Sequence, residues 1–171
     1  MKTLPKLTLV LGGAASGKSA YAEGLIAGSG LQKHYIATAQ VYDDEMAAKV
    51  ARHREMRGAG WITHEEPLDP GAVLSQSKPD QAVLLDCATL WLTNVMLADM
   101  DVAEASTTLI TGLLAYAAPV VVVSNEVGQG IVPDNALARR FRNAQGALNQ
   151  AIAAQADSVV VVMAGLPLVL K

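Results

Sequence analysis

The sequence has almost no cysteine: Cys87 is the single thiol, which rules out a disulfide within the chain and fits a reducing compartment. Aromatic residues are scarce at 4%, with one phenylalanine in 171 residues, while hydrophobic residues make up 51%. The interior must therefore be built mainly from alanine, valine and leucine. Lysine and arginine number 13 against 16 acidic residues, a net charge of −3. Without a basic excess to neutralise a polymer of phosphates, nucleic-acid binding is not expected. The local exception is Arg139-Arg140-Phe141-Arg142. No apolar run reaches the ~20 residues that span a bilayer. The start, Met1-Lys2-Thr3-Leu4-Pro5-Lys6, runs into a strand-like Leu7–Leu11 without the pattern of a signal peptide. A soluble cytoplasmic protein of one domain, residues 1–171, is the expectation.

What is present is an alternation of apolar runs and helical patterns. Leu7–Leu11, Ala82–Leu85, Val120–Val123 and Ser158–Met163 are continuously apolar, as strands covered on both faces are, and His34–Ala37 is a shorter fifth. Helical patterns span Ser19–Ala27, Asp43–Arg57, Ala103–Ala117 and Asn135–Ala156. Strands alternating with helices predict an α/β domain with a mainly parallel sheet. Glu65–Asp80, with its three prolines, reads as a surface excursion.

Between the first strand and the first helix stands Gly12-Gly13-Ala14-Ala15-Ser16-Gly17-Lys18-Ser19, a complete match to Gly-x-x-x-x-Gly-Lys-Ser/Thr. Glycines let the backbone curl so that successive N–H groups face phosphate oxygens, and the following helix adds its positive N-terminus. Lys18 is then the cation for the β- and γ-phosphates and Ser19 the hydroxyl ligand of Mg²⁺. With this loop the fold class becomes a P-loop NTPase-type three-layer α/β sandwich. A second Mg²⁺ carboxylate is expected at the end of an apolar strand, and Val83-Leu84-Leu85-Asp86 supplies Asp86. The plainer alternative for Asp86 is a helix cap. Asp157 precedes its strand and competes poorly.

The helical segment Asp43–Arg57 has its acids at the positive end of the helix dipole and its arginines at the negative end. Met46, Val50 and His53 share one face, with arginines on either side of the histidine. Spacing alone favours an ordinary surface or half-buried histidine. The sharper reading is a nucleophile: a neutral imidazole attacks an α-phosphorus and gives a phosphoramidate among cations. His34 and His64 lack that cationic surround. Later, Ser124-Asn125-Glu126-Val127-Gly128-Gln129-Gly130-Ile131-Val132-Pro133 follows a strand, where ligands bind in open α/β sheets. Arg139, Arg140 and Arg142 lie just beyond, read equally well as a phosphate clamp or a solvated helix face.

Taken together, these blocks resemble the bifunctional adenosylcobinamide kinase / adenosylcobinamide-phosphate guanylyltransferase family of cobalamin biosynthesis. The resemblance rests on the P-loop, on Tyr35-Ile36-Ala37-Thr38-Ala39-Gln40, and on Asp43-Asp44-Glu45-Met46 leading to His53. It continues through Trp61-Ile62-Thr63-His64-Glu65, Leu84-Leu85-Asp86-Cys87, the Ser124–Pro133 block and Arg139–Arg142, nearly the whole chain. The Ser-Asn-Glu-Val-Gly-x-Gly-Ile-Val-Pro block is far more specific than a P-loop. The resemblance implies a transferase that phosphorylates adenosylcobinamide with ATP or GTP. It then passes GMP from GTP, through a guanylylated histidine matching His53, to give adenosylcobinamide-GDP and pyrophosphate. Implied nucleotide contacts are Gly12 to Ser19, then Ala37, Thr38, Ala39, Arg54, Glu55, Met56, Arg57, Glu65 and Asp86. Implied metal ligands are Ser19 and Asp86, with Mg²⁺ as cofactor. A homotrimer is implied as well. The corrinoid pocket has no motif; Trp61, Trp91 and nearby apolar residues are the candidates.

Two positions depart from the family pattern: Ala15 stands where arginine is usual, and Asp86 where glutamate is frequent. Neither touches Lys18, Ser19 or His53. The rival readings are a P-loop kinase for another small alcohol or nucleoside and a GTP-dependent switch. The second lacks the Asn-Lys-x-Asp segment by which such switches read guanine.

Overall fold

The computed structural model describes residues 3–171, with the side chains of Lys49 and Met56 also left undescribed. Seven strands form one sheet in the order β3-β2-β4-β5-β1-β6-β7. They are β1 (Leu7–Gly12), β2 (Gln32–Ala37), β3 (Trp61–Glu65), β4 (Gln81–Asp86), β5 (Val120–Asn125), β6 (Ser158–Met163) and β7 (Leu166–Val169). All neighbours are parallel except β6 and β7. The helices are α1 (Lys18–Gly28), α2 (Asp44–Arg57), α3 (Pro70–Leu74), α4 (Ala88–Leu97), α5 (Val102–Ala115) and α6 (Ala136–Gln155). None of them is long and apolar enough to cross a membrane, among the described residues.

The predicted continuous apolarity of the central strands has its reason in two cores, one on each face. Leu7, Leu9, Val83, Leu85, Val120 and Val122 point to the face covered by α3, α4, α5 and α6, where Trp91, Leu92, Leu113, Leu148 and Ile152 are buried. Val10, Leu84, Val121, Val123 and Val160 point the other way, onto Ala22 and Ile26 of α1. Alternate residues of one strand thus enter opposite cores, and both must be apolar. Full burial of such a side chain contributes roughly 1.5–3 kcal/mol, so this double-sided sheet dominates stability.

The predicted strands and helices are all present, their ends shifted by one or two residues. Glu65–Asp80 is more ordered than a surface excursion. It holds the end of β3 and the short α3, which starts at Pro70 after the Asp69 cap. Strands β3 and β7 and helix α4 have no counterpart in the sequence reading. The apolar run of α4 carries no stop signal, and Cys87 is its N-cap, an unusual one whose Sγ accepts from the Leu90 N–H at 3.4 Å.

In parallel sheets of this kind the strand C-termini share one edge. Here that edge collects Gly12, Ala37, Asp86 and Asn125 from β1, β2, β4 and β5.

Candidate functional site: a phosphate loop beneath a histidine helix

Between β1 and α1 the chain turns through Gly13-Ala14-Ala15-Ser16-Gly17. Two of these residues are left-handed, Ala15 at φ 55° and Gly17 at φ 92°, which curls the amides inward. Gly12 admits no side chain: a Cβ there would lie 2.8 Å from the Val162 carbonyl oxygen and collide with Ser16 Oγ. The loop is held by backbone bonds. Ser16 N–H donates to the Gly13 carbonyl at 3.3 Å, Gly165 N–H to the Ser16 carbonyl at 2.8 Å, and Glu126 N–H to the Gly12 carbonyl at 3.0 Å. Lys18 Nζ donates to the Gly13 carbonyl at 3.0 Å, folding the lysine back over the loop. Ser16 Oγ is buried and finds no partner among the described residues. An unpaired buried hydroxyl in such a curl suits an anionic oxygen as its missing partner.

The oxygen donors for a cation are also in place. Ser19 lies in the first turn of α1 and Asp86 at the tip of β4. β5 separates β4 from β1, so the two tips are roughly 10 Å apart by strand spacing. Ser19 and Asp86 offer hard oxygens of the kind Mg²⁺ takes, and that ion keeps water and substrate oxygens among its ligands.

Asp86 is the centre of a second cluster. Tyr35 Oη donates to Asp86 Oδ2 at 3.1 Å. Burial first, and the Asp86 charge second, push the Tyr35 phenol well above its usual range. The Arg57 guanidinium lies over the Tyr35 ring, 3.4 Å from Cζ to the centroid. Glu23 of α1 completes the group: burial, opposed by Arg57 and reinforced by Asp86, raises its carboxyl to about 7. Beside it the buried Cys87 thiol is pushed up to about 12 by burial and then by Asp86, which makes it an inert packing residue. Thr38 is fully buried under the site. Its hydroxyl donates to the Cys87 carbonyl and accepts from the Cys87 N–H, both at 2.8 Å, tying β2 to β4. Ala37 and Ala39 flank it, half-buried.

His53 is carried by α2, capped by Asp43, whose Oδ1 accepts from Met46 N–H at 2.7 Å. As predicted, Met46, Val50 and His53 share a half-buried face, and Arg57 continues it. Arg52, Arg54 and Glu55 are exposed. Arg54 pairs with the exposed Glu65 at 3.3 Å. The side chain of Met56, an implied nucleotide contact, lies outside the described residues. The structure thus brings Gly12 to Ser19 and Asp86 to one sheet edge, while Arg57 reaches Tyr35, the partner of Asp86, and His53 lies one helical turn before Arg57.

At four points the structure departs from or adds to the sequence expectations. Trp91, a candidate for the corrinoid, is only 2% exposed and donates through Nε1 to the Leu68 carbonyl at 2.9 Å, so it is core. Trp61 is half-buried against Tyr35, edge-on at 6.2 Å. Arg139 donates through Nη1 to the carbonyls of Pro133 and Asp134, both at 2.8 Å, and so clasps the loop after Ser124–Asn125. That loop is anchored from below by a buried polar network: Ser124 Oγ donates to Asn149 Oδ1 at 2.6 Å, and Gln145 Nε2 donates to both. Its sequence signal is two amides at i and i+4 on the apolar face of α6. Glu23 was missed too; an acid on a helix otherwise apolar and small was its only mark.

A profile of the family described as cobinamide kinase / cobinamide phosphate guanyltransferase matches residues 8–170. The bifunctional adenosylcobalamin biosynthesis protein CobP of Pseudomonas aeruginosa is 46% identical over 166 residues, covering 95% of this chain and 96% of that one. The bifunctional adenosylcobalamin biosynthesis protein CobU of Salmonella typhimurium is 41% identical over 182 aligned positions, covering 96% and 99%. Among solved structures, the RadB recombinase superposes with a TM-score of 0.51 at 17% identity, covering 92% of this chain and 74% of that one. That likeness concerns the fold alone, a mainly parallel α/β sheet with helices on both faces. The chain belongs to the cobinamide kinase / cobinamide phosphate guanyltransferase family.

Proposed function

We propose that this protein, as a single domain, first phosphorylates the aminopropanol hydroxyl of adenosylcobinamide with ATP or GTP and then converts the product to adenosylcobinamide-GDP. The carrying observation is the curled loop of residues 12–19 at the same end of the sheet as Asp86, whose Tyr35 partner carries Arg57 of the histidine helix. In the kinase step the substrate hydroxyl oxygen attacks the γ-phosphorus, the bond to the β-bridging oxygen breaks, and the hydroxyl proton is lost. The inward amides of residues 13–18 and Lys18 hold the β- and γ-phosphates and offset the charge that develops on them. Mg²⁺, when held by Ser19 and Asp86, neutralises phosphate charge.

In the second reaction a neutral ring nitrogen of His53 attacks the α-phosphorus of GTP. The α–β bridging bond breaks and pyrophosphate leaves, its charge borne by the same loop. A phosphate oxygen of adenosylcobinamide phosphate then attacks the histidine-bound phosphorus, the P–N bond breaks, and the imidazole is restored. Arg54 and Glu65 stand at the outer rim, open to the nucleotide. Met163, Leu166, Leu168 and Val169 form an exposed apolar strip on the β6–β7 hairpin, which supports self-association; a cytoplasmic homotrimer is what the family resemblance implies for it.

The reading is tested by supplying adenosylcobinamide with ATP and then GTP and identifying products by mass. His53→Ala should accumulate the phosphate and form no GDP derivative. Formation of the GDP derivative by that variant would refute the histidine route. Loss of neither product in Lys18→Ala would refute the loop's role.

A further inference from the structure

We infer that Arg57 and Tyr35 are positioning residues for His53: the guanidinium laid on the phenol ring sets the height and rotation of α2, and so where the imidazole stands. This rests on the guanylyl-transfer reading of His53 above. Helix α2 is unlike every other long helix of the fold. None of its described side chains is buried, whereas α4 and α6 bury six and four residues. Packing into a core therefore does not fix it. Of its contacts to the sheet, the Arg54–Glu65 pair is 3.3 Å long with side chains 60% and 76% exposed, and such pairs restrain little.

The Arg57 contact is of a different kind. Tyr35 is a rigid platform: its ring is 6% exposed within β2 and braced edge-on by Trp61, and both supports survive without the hydroxyl. Arg57 lies flat on it at 3.4 Å. Nε and Nη1 of Arg57 are buried and find no hydrogen-bond acceptor among the described residues. The guanidinium is held there by the ring face and by the charges of Asp86 and Glu23 rather than by directed bonds. His53 precedes Arg57 by four residues, hence on the same helix face and about 6 Å along the axis. Beyond Arg57 the chain leaves through Gly58 and Gly60, both left-handed at φ 71° and 88°, which bring no packing side chain. A shift of the stack is thus passed to the imidazole undiminished.

The test compares Tyr35→Leu, Tyr35→Phe and Arg57→Lys by single-turnover labelling of His53 from GTP labelled at the α-phosphate, with amide hydrogen exchange on the same proteins. Because a misplacement of about 1 Å costs on the order of a hundredfold in rate, Tyr35→Leu and Arg57→Lys should lower the saturating labelling rate by roughly 30- to 100-fold. The half-saturating GTP concentration should stay within about threefold, the signature of lost geometry rather than lost binding. Tyr35→Phe keeps the ring and should label at close to the wild-type rate. Tyr35→Leu should keep the kinase turnover of Tyr35→Phe, which lacks the same bond to Asp86, and exchange should quicken in 44–57 while the sheet stays protected.

A rise in half-saturating GTP with the saturating rate kept would make Arg57 a nucleotide ligand and overturn the inference. So would equal damage from Tyr35→Phe and Tyr35→Leu, parallel loss of kinase turnover in Tyr35→Leu, or unchanged exchange in 44–57. Wild-type protein that binds GTP and takes no label would instead remove the guanylyl-histidine reading, and the positioning role with it.

Discussion

The phosphate loop and the histidine helix are built on opposite plans. The loop is fixed by main chain: left-handed turns at Ala15 and Gly17, a Gly12 with no room for a Cβ, and amide bonds from Gly165 and Glu126. Its base, β1 and α1, is buried in two cores. Helix α2 has no buried described side chain, and its described polar and stacking contacts to the sheet are made by two arginines, Arg54 and Arg57. A loop made of backbone tolerates side-chain exchange, which explains how Ala15 can occupy a place where arginine is usual. A helix held by side chains does not: its chemistry depends on individual contacts.

The largest expected effect breaks the loop side. Lys18→Ala should depress both the kinase and the guanylylation rates by about 10²- to 10³-fold, as loss of a main charge stabiliser does. His53→Ala should depress only the second. Steady-state assays of the two steps check this, and equal loss in both variants would erase the contrast. Next, Gly12→Ala should destabilise the fold by about 1–3 kcal/mol in urea unfolding, because the Val162 carbonyl cannot move aside as the Ser16 side chain can.

A smaller effect concerns Glu23. Its carboxyl is raised to about 7 from 4.5, so between those values the folded state binds more protons than the unfolded one. Stability is then fully present below pH 4.5 and is lost as pH rises through about 7. The group is half-buried, so solvent screening reduces this loss to about 1 kcal/mol. Glu23→Gln should flatten that slope in unfolding measured from pH 5 to pH 8; a slope unchanged by the substitution would contradict it. The smallest effect is at the rim. Glu65→Gln should alter stability by less than about 0.5 kcal/mol, the range of exposed ion pairs.

Much of this was legible in the sequence. The central strands announced themselves because both faces are covered and each residue is apolar. The loop was legible because backbone curvature demands glycine at fixed spacing. Less was legible at the edges. β3 has no fully buried residue, and β7 is exposed throughout, so neither has the apolar run of β4 or β5. The Ser124–Gln145–Asn149 network joins residues that only the fold brings together. Tyr35 was read as one letter of a block, and its service as a platform for Arg57 depends on β2 lying beside β4. Trp91 shows the reverse error: a large aromatic near a site was read as ligand-facing, yet helix α4 turns it inward.

The most direct measurement is incubation of the protein with Mg²⁺ and GTP labelled at the α-phosphate, followed by denaturing electrophoresis of wild type and His53→Ala. Label on the wild type that is acid-labile, alkali-stable and absent from His53→Ala is the predicted result, the mark of a phosphoramidate on that imidazole. Unlabelled wild type that demonstrably binds GTP, or label that persists in His53→Ala, would contradict it.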